Sequence, residues 1–502
     1  MQAPPSSDAT PASLMRTALS VLSRIAAETD PLGRMFAYAG HELALVGGPV
    51  RDAFLGRRSA DLDFATSARP DETQAILTAW GDATWDVGRE FGTIAARRGD
   101  VVVEITTYRT EEYDVGSRKP VVAFGSDLEG DLSRRDFRVN AMAVRLPDLT
   151  FVDPFHGLTD LAAGVLNTPA SPQQSFDDDP LRILRAARFS AQLGLDVDPG
   201  VMAAMTEYAP RLAIVSAERV QAELVKTLMA ATPRRGIELL VETGVLDVVL
   251  PEVPAMRLEI DEHHRHKDVY SHSLTVLDQA IALESGPDGP VPGPDLVLRL
   301  AALLHDVGKP DTRRNEPGGR VSFHHHEIVG AKLARRRMKA LKFDKATTAA
   351  VCDLIALHLR FHGYGEAGWT DSAVRRYVTD AGPLLERLHR LTRADCTTRN
   401  RAKADRLSHA YDDLEQRIAE LRSQEEIDAI RPDLDGSQIM AILGIPPGRE
   451  VGAAYKHLLA LRMEEGPLGA ERAEAELRAW WAERGGDGDA DSGVGASGGA
   501  VD

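Results

Sequence analysis

Cysteine is almost absent. Cys352 and Cys396 are the only two in 502 residues, too few for a disulfide framework or a zinc knuckle, and this points to a reducing, cytoplasmic setting. Positive charge is in deficit: 59 Lys and Arg stand against 76 Asp and Glu, a formal net charge of −17. That balance excludes a protein that coats nucleic acid indiscriminately, while leaving room for a local basic surface. Four of the acidic residues, Asp487, Asp489, Asp491 and Asp502, follow Arg484, away from any expected substrate. Long apolar runs are also missing. The best, Leu296–Leu304, is short and interrupted by Arg299, so no transmembrane helix and no membrane partner is expected. Residues 1–10 lack a cationic start and apolar stretch, so no signal peptide is expected. Aromatic content is low at 5%, but 43% hydrophobic residues are globular, and the length calls for roughly two to four domains.

The most informative stretch runs from Leu45 to Phe64. An apolar run ends in Gly47-Gly48, a short helical stretch with Arg51-Asp52 follows, and Asp61 and Asp63 then alternate with Leu62 and Phe64. Alternate strand residues share a face, so the two carboxylates point together while the hydrophobes enter the core. Such a pair is costly without a cation, and Mg²⁺ with nucleotide phosphates is the usual partner. The glycines allow close backbone approach to a phosphate, which the following helix N-terminus favours. Gly47-Gly48-x-x-Arg51-Asp52 followed by Asp61-x-Asp63 resembles the head of the bacterial CCA-adding tRNA nucleotidyltransferases, which share a superfamily with bacterial poly(A) polymerases.

The resemblance extends further. Arg134-Arg135-Asp136-Phe-Arg138-Val-Asn140 is similar to the family's sugar-recognition motif, which implies that Arg135, Asp136 and Asn140 lie near ribose and phosphates. Asp153-Pro-x-x-Gly157-x-x-Asp160-Leu161 matches a structural turn into a helical region. Glu104 is a third carboxylate candidate, with an ion pair to Arg109 or Arg138 as the alternative. In Asp178-Asp179-Pro180-Leu181-Arg182, Asp179 before Pro180 reads as an N-cap. The resemblance implies that Asp179 and Arg182 form a protein template for the incoming base. Cytosine and adenine each offer an amino donor beside a ring-nitrogen acceptor, matching carboxylate and guanidinium. Uracil and guanine reverse that pattern and leave groups unpaired at roughly 1–3 kcal/mol each. Arg185 and Arg188, on the face of Arg182, are expected at the triphosphate or at flanking helices, and Ser216-Ala-Glu218-Arg219 resembles the motif that braces the template helix.

A second constellation comprises His272, His305-Asp306, His326, His358 and Asp395. Leu300-Ala-Ala-Leu-Leu-His305-Asp306-Val-Gly-Lys309 resembles the HD superfamily of metal-dependent phosphohydrolases. This implies that His272, His305, Asp306 and Asp395 ligate a divalent metal of unspecified identity, with His326 and His358 supporting a second ion or binding phosphate. His263-His264-x-His266 is read as a polar linker. The basic run Arg335-Arg-Arg337-x-Lys339-x-x-Lys342 and Arg393, Arg399 and Arg401 are either solvated helix faces or tRNA backbone contacts.

Periodicity predicts strands over residues 42–47, 62–66, 94–98 and 101–107, helices over 12–27 and 71–80, and a long functional loop over 109–129. Beyond Asp177 helical patterning dominates. The expected fold is an α/β head of the nucleotidyltransferase type, a small mixed sheet with helices, followed by a long all-α body that includes an HD domain. The divisions are 1–30, an N-terminal extension with a helix; 31–170, the head; 171–260, a helical neck with the template; 261–405, the HD domain; 406–484, a helical tail; and 485–502, a disordered tail. The expected activity is template-independent addition of C, C and A to the tRNA 3′ end from CTP and ATP, driven by Mg²⁺ and releasing pyrophosphate, with accessory HD phosphohydrolase activity. The alternatives are poly(A) polymerase, a CC-adding enzyme, a metal phosphohydrolase with a nucleotide-sensing head, and a non-catalytic RNA-binding module.

Overall fold

The computed structural model describes residues 10–59, 61–112, 121–125, 127–258, 268–317, 320–364, 369–398, 400–425 and 430–485. It divides into two compact units, Met1–Arg257 with Arg337–Asp344, and Leu258–Arg336 with Lys345–Asp502. Among the described residues no helix is long and apolar enough to cross a membrane.

The first unit opens with helix α1 (Pro11–Tyr38), capped by Thr10, whose hydroxyl accepts from the Ser13 amide. Its buried stripe is Leu14, Ala18, Leu22, Ile25, Leu32 and Phe36. The expected helix over 12–27 is therefore the first part of a longer one, and the division at residue 30 falls inside it. Leu19 lies off this stripe and is 58% exposed.

A seven-stranded sheet follows, ordered β3-β4-β5-β2-β1-β8-β9. The strands are β1 (Leu43–Val46), β2 (Asp61–Thr66), β3 (Ala83–Gly88), β4 (Thr93–Arg98), β5 (Val101–Thr107), β8 (Ala143–Leu146) and β9 (Phe151–Val152). Helix α2 (Gly48–Phe54) links β1 to β2, and α3 (Pro70–Trp80) links β2 to β3. All neighbours are antiparallel except β2 and β5. β3 escaped the sequence reading because its residues, Ala-Thr-Trp-Asp-Val-Gly, do not alternate cleanly, and its pairing with β4 shifts between Asp86 and Gly88.

The expected loop over 109–129 is corrected at both ends. Strands β6 (Arg109–Glu112) and β7 (Val121–Phe124) form an antiparallel pair, and α4 (Leu128–Ser133) begins behind an Asp127 cap. Residues 113–120 lie outside the described set. The remaining helices of this unit include α5 (Gly157–Ala163), α6 (Pro172–Asp178), α7 (Leu181–Leu193), α8 (Pro199–Tyr208), α9 (Ala217–Leu228) and α10 (Pro233–Glu242).

The second unit is helical. Helices Val269–Ala282, Leu296–Leu304, Lys345–Leu357 and Leu385–Asp395 pack together. Helices Gly436–Leu443, Arg449–Glu465 and Ala470–Gly485 enclose a separate small core around Ile439, Ala454, Leu458 and Leu477. Helix Arg401–Glu425 runs through the division placed at 405/406.

Candidate active site and metal centre

The alternation in β2 is realised in the fold. Asp61 and Asp63 are exposed while Leu62 and Phe64 are buried. The parallel register sets Asp63 directly opposite Glu104, so three carboxylates share one face. Glu104 forms no ion pair among the described residues. Arg138, one of its anticipated partners, donates to the Thr168 carbonyl at 2.9 Å and lies 3.7 Å from Asp160. Asp63 is open to solvent at its outer edge, yet its carboxyl is crowded. Local desolvation, with repulsion from Glu104 and Asp61, pushes its pKa up to about 6, although Arg135 pulls the other way. An anionic cluster of hard oxygens that resists ionising is a fitting receptor for a divalent cation.

The folded state thus binds this proton more tightly than the unfolded chain. Ionised Asp63 costs stability above a pH of about 6, and the cost fades as pH falls toward the unfolded value near 4. Asp63→Asn should therefore raise the melting temperature of metal-free protein at about pH 7.5, and the gain should shrink at about pH 5. Equal gains at both pH values would contradict the cause assigned here.

Gly47 bridges β1 to α2 with φ of +73°, and a Cβ there would lie 2.8 Å from Arg135 Nη1. A side chain at 47 would both strain the turn and displace that guanidinium. Arg51 on α2 holds Asp52 at 2.8 Å and donates to Asn140 Oδ1 at 2.6 Å. Asn140 donates to Asp136 Oδ1 at 3.0 Å, which also accepts from the Phe137 amide at 2.8 Å. Asp136 is buried and ion-paired with Arg185 at 2.6 Å. Desolvation would raise its pKa, but Arg185, Asn140 and the amide together lower it.

Helix α7 starts one residue later than expected, with Pro180 rather than Asp179 at the N-cap. Asp179 Oδ1 still accepts from the Leu181 amide at 3.1 Å, and Oδ2 accepts from Arg219 at 3.0 Å. Arg182 donates to Ser175 Oγ at 2.9 Å and to the Arg134 carbonyl at 2.6 Å. The other two arginines also meet carboxylates of the same unit. Arg185 meets Asp136, and Arg188 pairs with buried Glu223 of α9 at 2.9 Å. The ring of Phe189 underlies this group, with Arg188 at 4.3 Å, Arg51 at 5.3 Å and Arg185 at 5.7 Å from its centroid. Sequence reasoning missed Phe189, which looks like ordinary helix core until its cationic neighbours are seen.

In the second unit all six expected residues converge. His305 ends helix Leu296–Leu304, and Asp306 follows it. Asp306 Oδ2 lies 3.2 Å from His305 Nε2 and 3.7 Å from His272 Nε2, and Oδ1 lies 3.2 Å from His326 Nε2 and 4.0 Å from His358 Nε2. His272 Nε2 is 2.9 Å from Asp395 Oδ1. The ligand atoms fall into two sets, His272, His305 and Asp395, and Asp306, His326 and His358. Asp306 reaches both sets: its Oδ2 faces His305 and His272, the group it was expected to join, and its Oδ1 faces His326 and His358.

Three ring nitrogens are fixed by local backbone. His305 Nδ1 sits 2.9 Å from the Ala302 carbonyl, His326 Nδ1 2.8 Å from that of Phe323, and His358 Nδ1 2.7 Å from that of Ile355. A carbonyl only accepts, so each Nδ1 carries the proton and each Nε2 turns to the centre. His272 is held at Nδ1 by Thr397 Oγ1 at 3.1 Å. Buried atoms His305 Nε2, His326 Nε2 and Asp306 Oδ1 have no hydrogen-bond partner, as expected of ligand atoms. Burial opposes a charged imidazole at His305, but Asp306 and Asp395 overcome it and raise its pKa to about 10; burial lowers His358 to about 4. The centre wants positive charge, and imidazole nitrogens beside carboxylates suit a divalent transition metal.

Gly308 is essential to this geometry. A Cβ there would stand 2.1 Å from the His326 carbonyl oxygen, so only glycine lets the His305-Asp306 turn approach the helix beginning at His326 (His326–Ala340). A cavity of about 630 Å³ opens onto the ligands, lined also by Lys309, Phe323, His324, Leu359 and Lys403. Lys309 contacts Asp306 Oδ2 at 2.6 Å. Its position in the quoted run was a signal for it; nothing in the local sequence signals His324 or Lys403.

His263, His264, His266 and Arg399 lie outside the described residues. Arg393 is not an open cation: it pairs with Asp412 at 2.8 Å and Glu415 at 2.9 Å. Arg337 pairs with Glu252 at 2.8 Å, whereas Arg335, Arg336, Lys339, Lys342 and Arg401 are exposed.

Three family models match the chain: the poly A polymerase head domain over residues 43–167, the probable RNA and SrmB-binding site of polymerase A over 194–256, and the HD domain over 269–400. The A-adding tRNA nucleotidyltransferase of Deinococcus radiodurans is 34% identical over 451 residues, 88% of this chain and 95% of that relative. The CCA-adding enzyme of Streptococcus gordonii is 39% identical over 236 residues, 47% of this chain and 58% of that relative. The crystal structure of the Bacillus stearothermophilus CCA-adding enzyme in complex with CTP is alike in fold, with a TM-score of 0.65 at 24% identity, covering 91% of this chain and 98% of that one. With a relative this similar matched along nearly its whole length, the chain belongs to the tRNA nucleotidyltransferase/poly(A) polymerase family and carries an HD domain.

Proposed function

We propose that this chain is a template-independent nucleotidyltransferase that completes the 3′ end of tRNA with C, C and A from CTP and ATP, releasing pyrophosphate. The observation that carries the reading is the carboxylate face of Asp61, Asp63 and Glu104 in the same unit as the Asp179/Arg182 pair. Asp61 and Asp63, with Glu104, hold Mg²⁺ in this reading. The ion would polarise the RNA 3′-hydroxyl and neutralise charge developing on the leaving pyrophosphate. The Gly47-Gly48 turn with Arg51 and Arg135 serves the triphosphate, and Asp136 and Asn140 orient the ribose. Asp179 accepts from the base amino group while Arg182 donates to the ring nitrogen. The Leu181 amide and Arg219 each take one lone pair of the Asp179 carboxylate, which leaves further lone pairs to accept from the base amino group.

Incubation with tRNA ending at its discriminator base, CTP, ATP and Mg²⁺, followed by sequencing, should give ends extended by CCA and no further. No extension under any nucleotide mixture would refute the reading. A second reading, addition of the terminal A alone, is favoured by one observation. The relative aligned along nearly the entire chain is named for A addition. Growth only on tRNA already ending in CC would select it.

For the template, Asp179→Ala should admit UTP, with discrimination against it falling about 10- to 100-fold. Unchanged discrimination would remove Asp179 from that role. The HD centre is proposed as a divalent-metal phosphohydrolase site acting on phosphate esters, with Lys309 and Lys403 supplying positive charge around its cavity and His324 a further polar ring.

A further inference from the structure

Helix α7 touches the ribose-reading loop at two points one turn apart. Arg182 donates to the Arg134 carbonyl at 2.6 Å, and Arg185 pairs with the Asp136 carboxylate at 2.6 Å. From Asp136 the contacts continue without a gap. Asn140 donates to it at 3.0 Å, Arg51 donates to Asn140 at 2.6 Å, and the Arg51 amide donates to the Gly47 carbonyl at 3.1 Å. Asp136 is 7% exposed, whereas the Arg185 side chain is 35% exposed. Arg51, Arg185 and Arg188 are balanced by Asp52, Asp136 and Glu223 around the Phe189 ring. A lattice of equal and opposite charges, largely closed to water, has little freedom to slide.

We propose that Arg185 is a positioning residue for nucleotide selection. Its ion pair with Asp136 fixes the loop on which Arg182 rests, and so sets the distance between the base reader and the Gly47–Asp63 face. Arg185 need not touch the nucleotide for this. Arg182 takes its orientation partly from the Arg134 carbonyl, and that carbonyl stays in place while Asp136 is tied down two residues later. Without Arg185, Asp136 keeps Asn140 and an amide but loses its ion-pair partner, and the loop and Arg182 shift together. Base choice and triphosphate placement then degrade as one. The inference rests on the nucleotidyl-transfer reading, which the wild-type chain tests separately in the same assay.

The experiment measures incorporation of CTP, ATP and UTP into 3′-truncated tRNA by the full-length protein. R185Q should raise KM for both CTP and ATP by about tenfold, with a smaller fall in kcat, and should let UTP in. R185K, which keeps the charge, should restore most of both. The comparison variant is R235Q. Arg235 also braces α7, donating to Ser190 Oγ at 2.9 Å, but no hydrogen bond or ion pair joins it to the described loop of residues 134–140. It should lower thermal stability and leave KM and base choice at wild-type values. Wild-type kinetics in R185Q would overturn the proposal, as would R235Q altering base choice to the same degree. Should R185Q fail to fold, R185M, which keeps the apolar stem but not the charge, carries the test: a KM rise of about tenfold with UTP incorporation supports it, and wild-type values sink it.

Discussion

Asp63→Ala should reduce nucleotide incorporation by roughly 10³-fold or more while leaving the far-UV circular dichroism unchanged. A catalytic divalent ion contributes several kcal/mol to stabilising a phosphoryl-transfer transition state, and each 1.36 kcal/mol is about a factor of ten in rate. The side chain projects from an exposed position of β2, so its removal opens no cavity in the sheet. The same logic predicts a comparable loss for Asp61→Ala and a smaller one for Glu104→Ala, whose carboxylate sits across the strand pair rather than beside a neighbour on the same strand. Incorporation within about tenfold of wild type in Asp63→Ala would mean that catalysis does not run through this face.

The second large effect concerns the HD centre. Asp306→Asn should remove divalent-metal binding, read by elemental analysis of purified protein, and abolish hydrolysis of p-nitrophenyl phosphate. Asp306 is the one residue whose two oxygens face both sets of ligands. Its amide replacement keeps the shape but withdraws the charge that balances Lys309 and His305. CCA addition should persist, because no residue proposed for it belongs to this centre. Metal retained at wild-type stoichiometry in Asp306→Asn would dismantle the assignment; wild-type protein with metal but no hydrolysis would restrict the centre to a structural role.

How much of this was legible in the sequence depends on the range of the interaction. The alternation of Asp61 and Asp63 with Leu62 and Phe64 was readable because strand geometry is local. So was the His305-Asp306 turn, since adjacent ligands need no fold to be neighbours. The six HD residues were found individually, but not which oxygen of Asp306 faces which imidazole, because helix packing decides that. Arg185 and Arg188 resisted for the same reason. Their spacing placed them on one face, while their partners Asp136 and Glu223 lie far along the chain and look like any acidic residues. Segment 109–129 misled because charge without periodicity resembles a loop, although its ends pair through backbone groups that ignore side-chain patterning. Lys403 and His324 had no local signature at all; only the cavity identifies them.

The lone parallel pairing in the sheet carries a consequence for how the chain tolerates change. Because β2 and β5 run in the same direction, Asp63 and Glu104 meet at equal height. Inserting or deleting one residue within β5 would rotate Glu104 into the hydrophobic interior and present Val103 or Ile105 to solvent in its stead. A length change in the short turn between β4 and β5, around Gly99 where φ is +58° and no atom crowds a side chain, would be absorbed outside the sheet. Evolutionary drift in this head should therefore collect at the hairpin tip and spare the strand beside it, even though the tip lies only a few residues from Glu104.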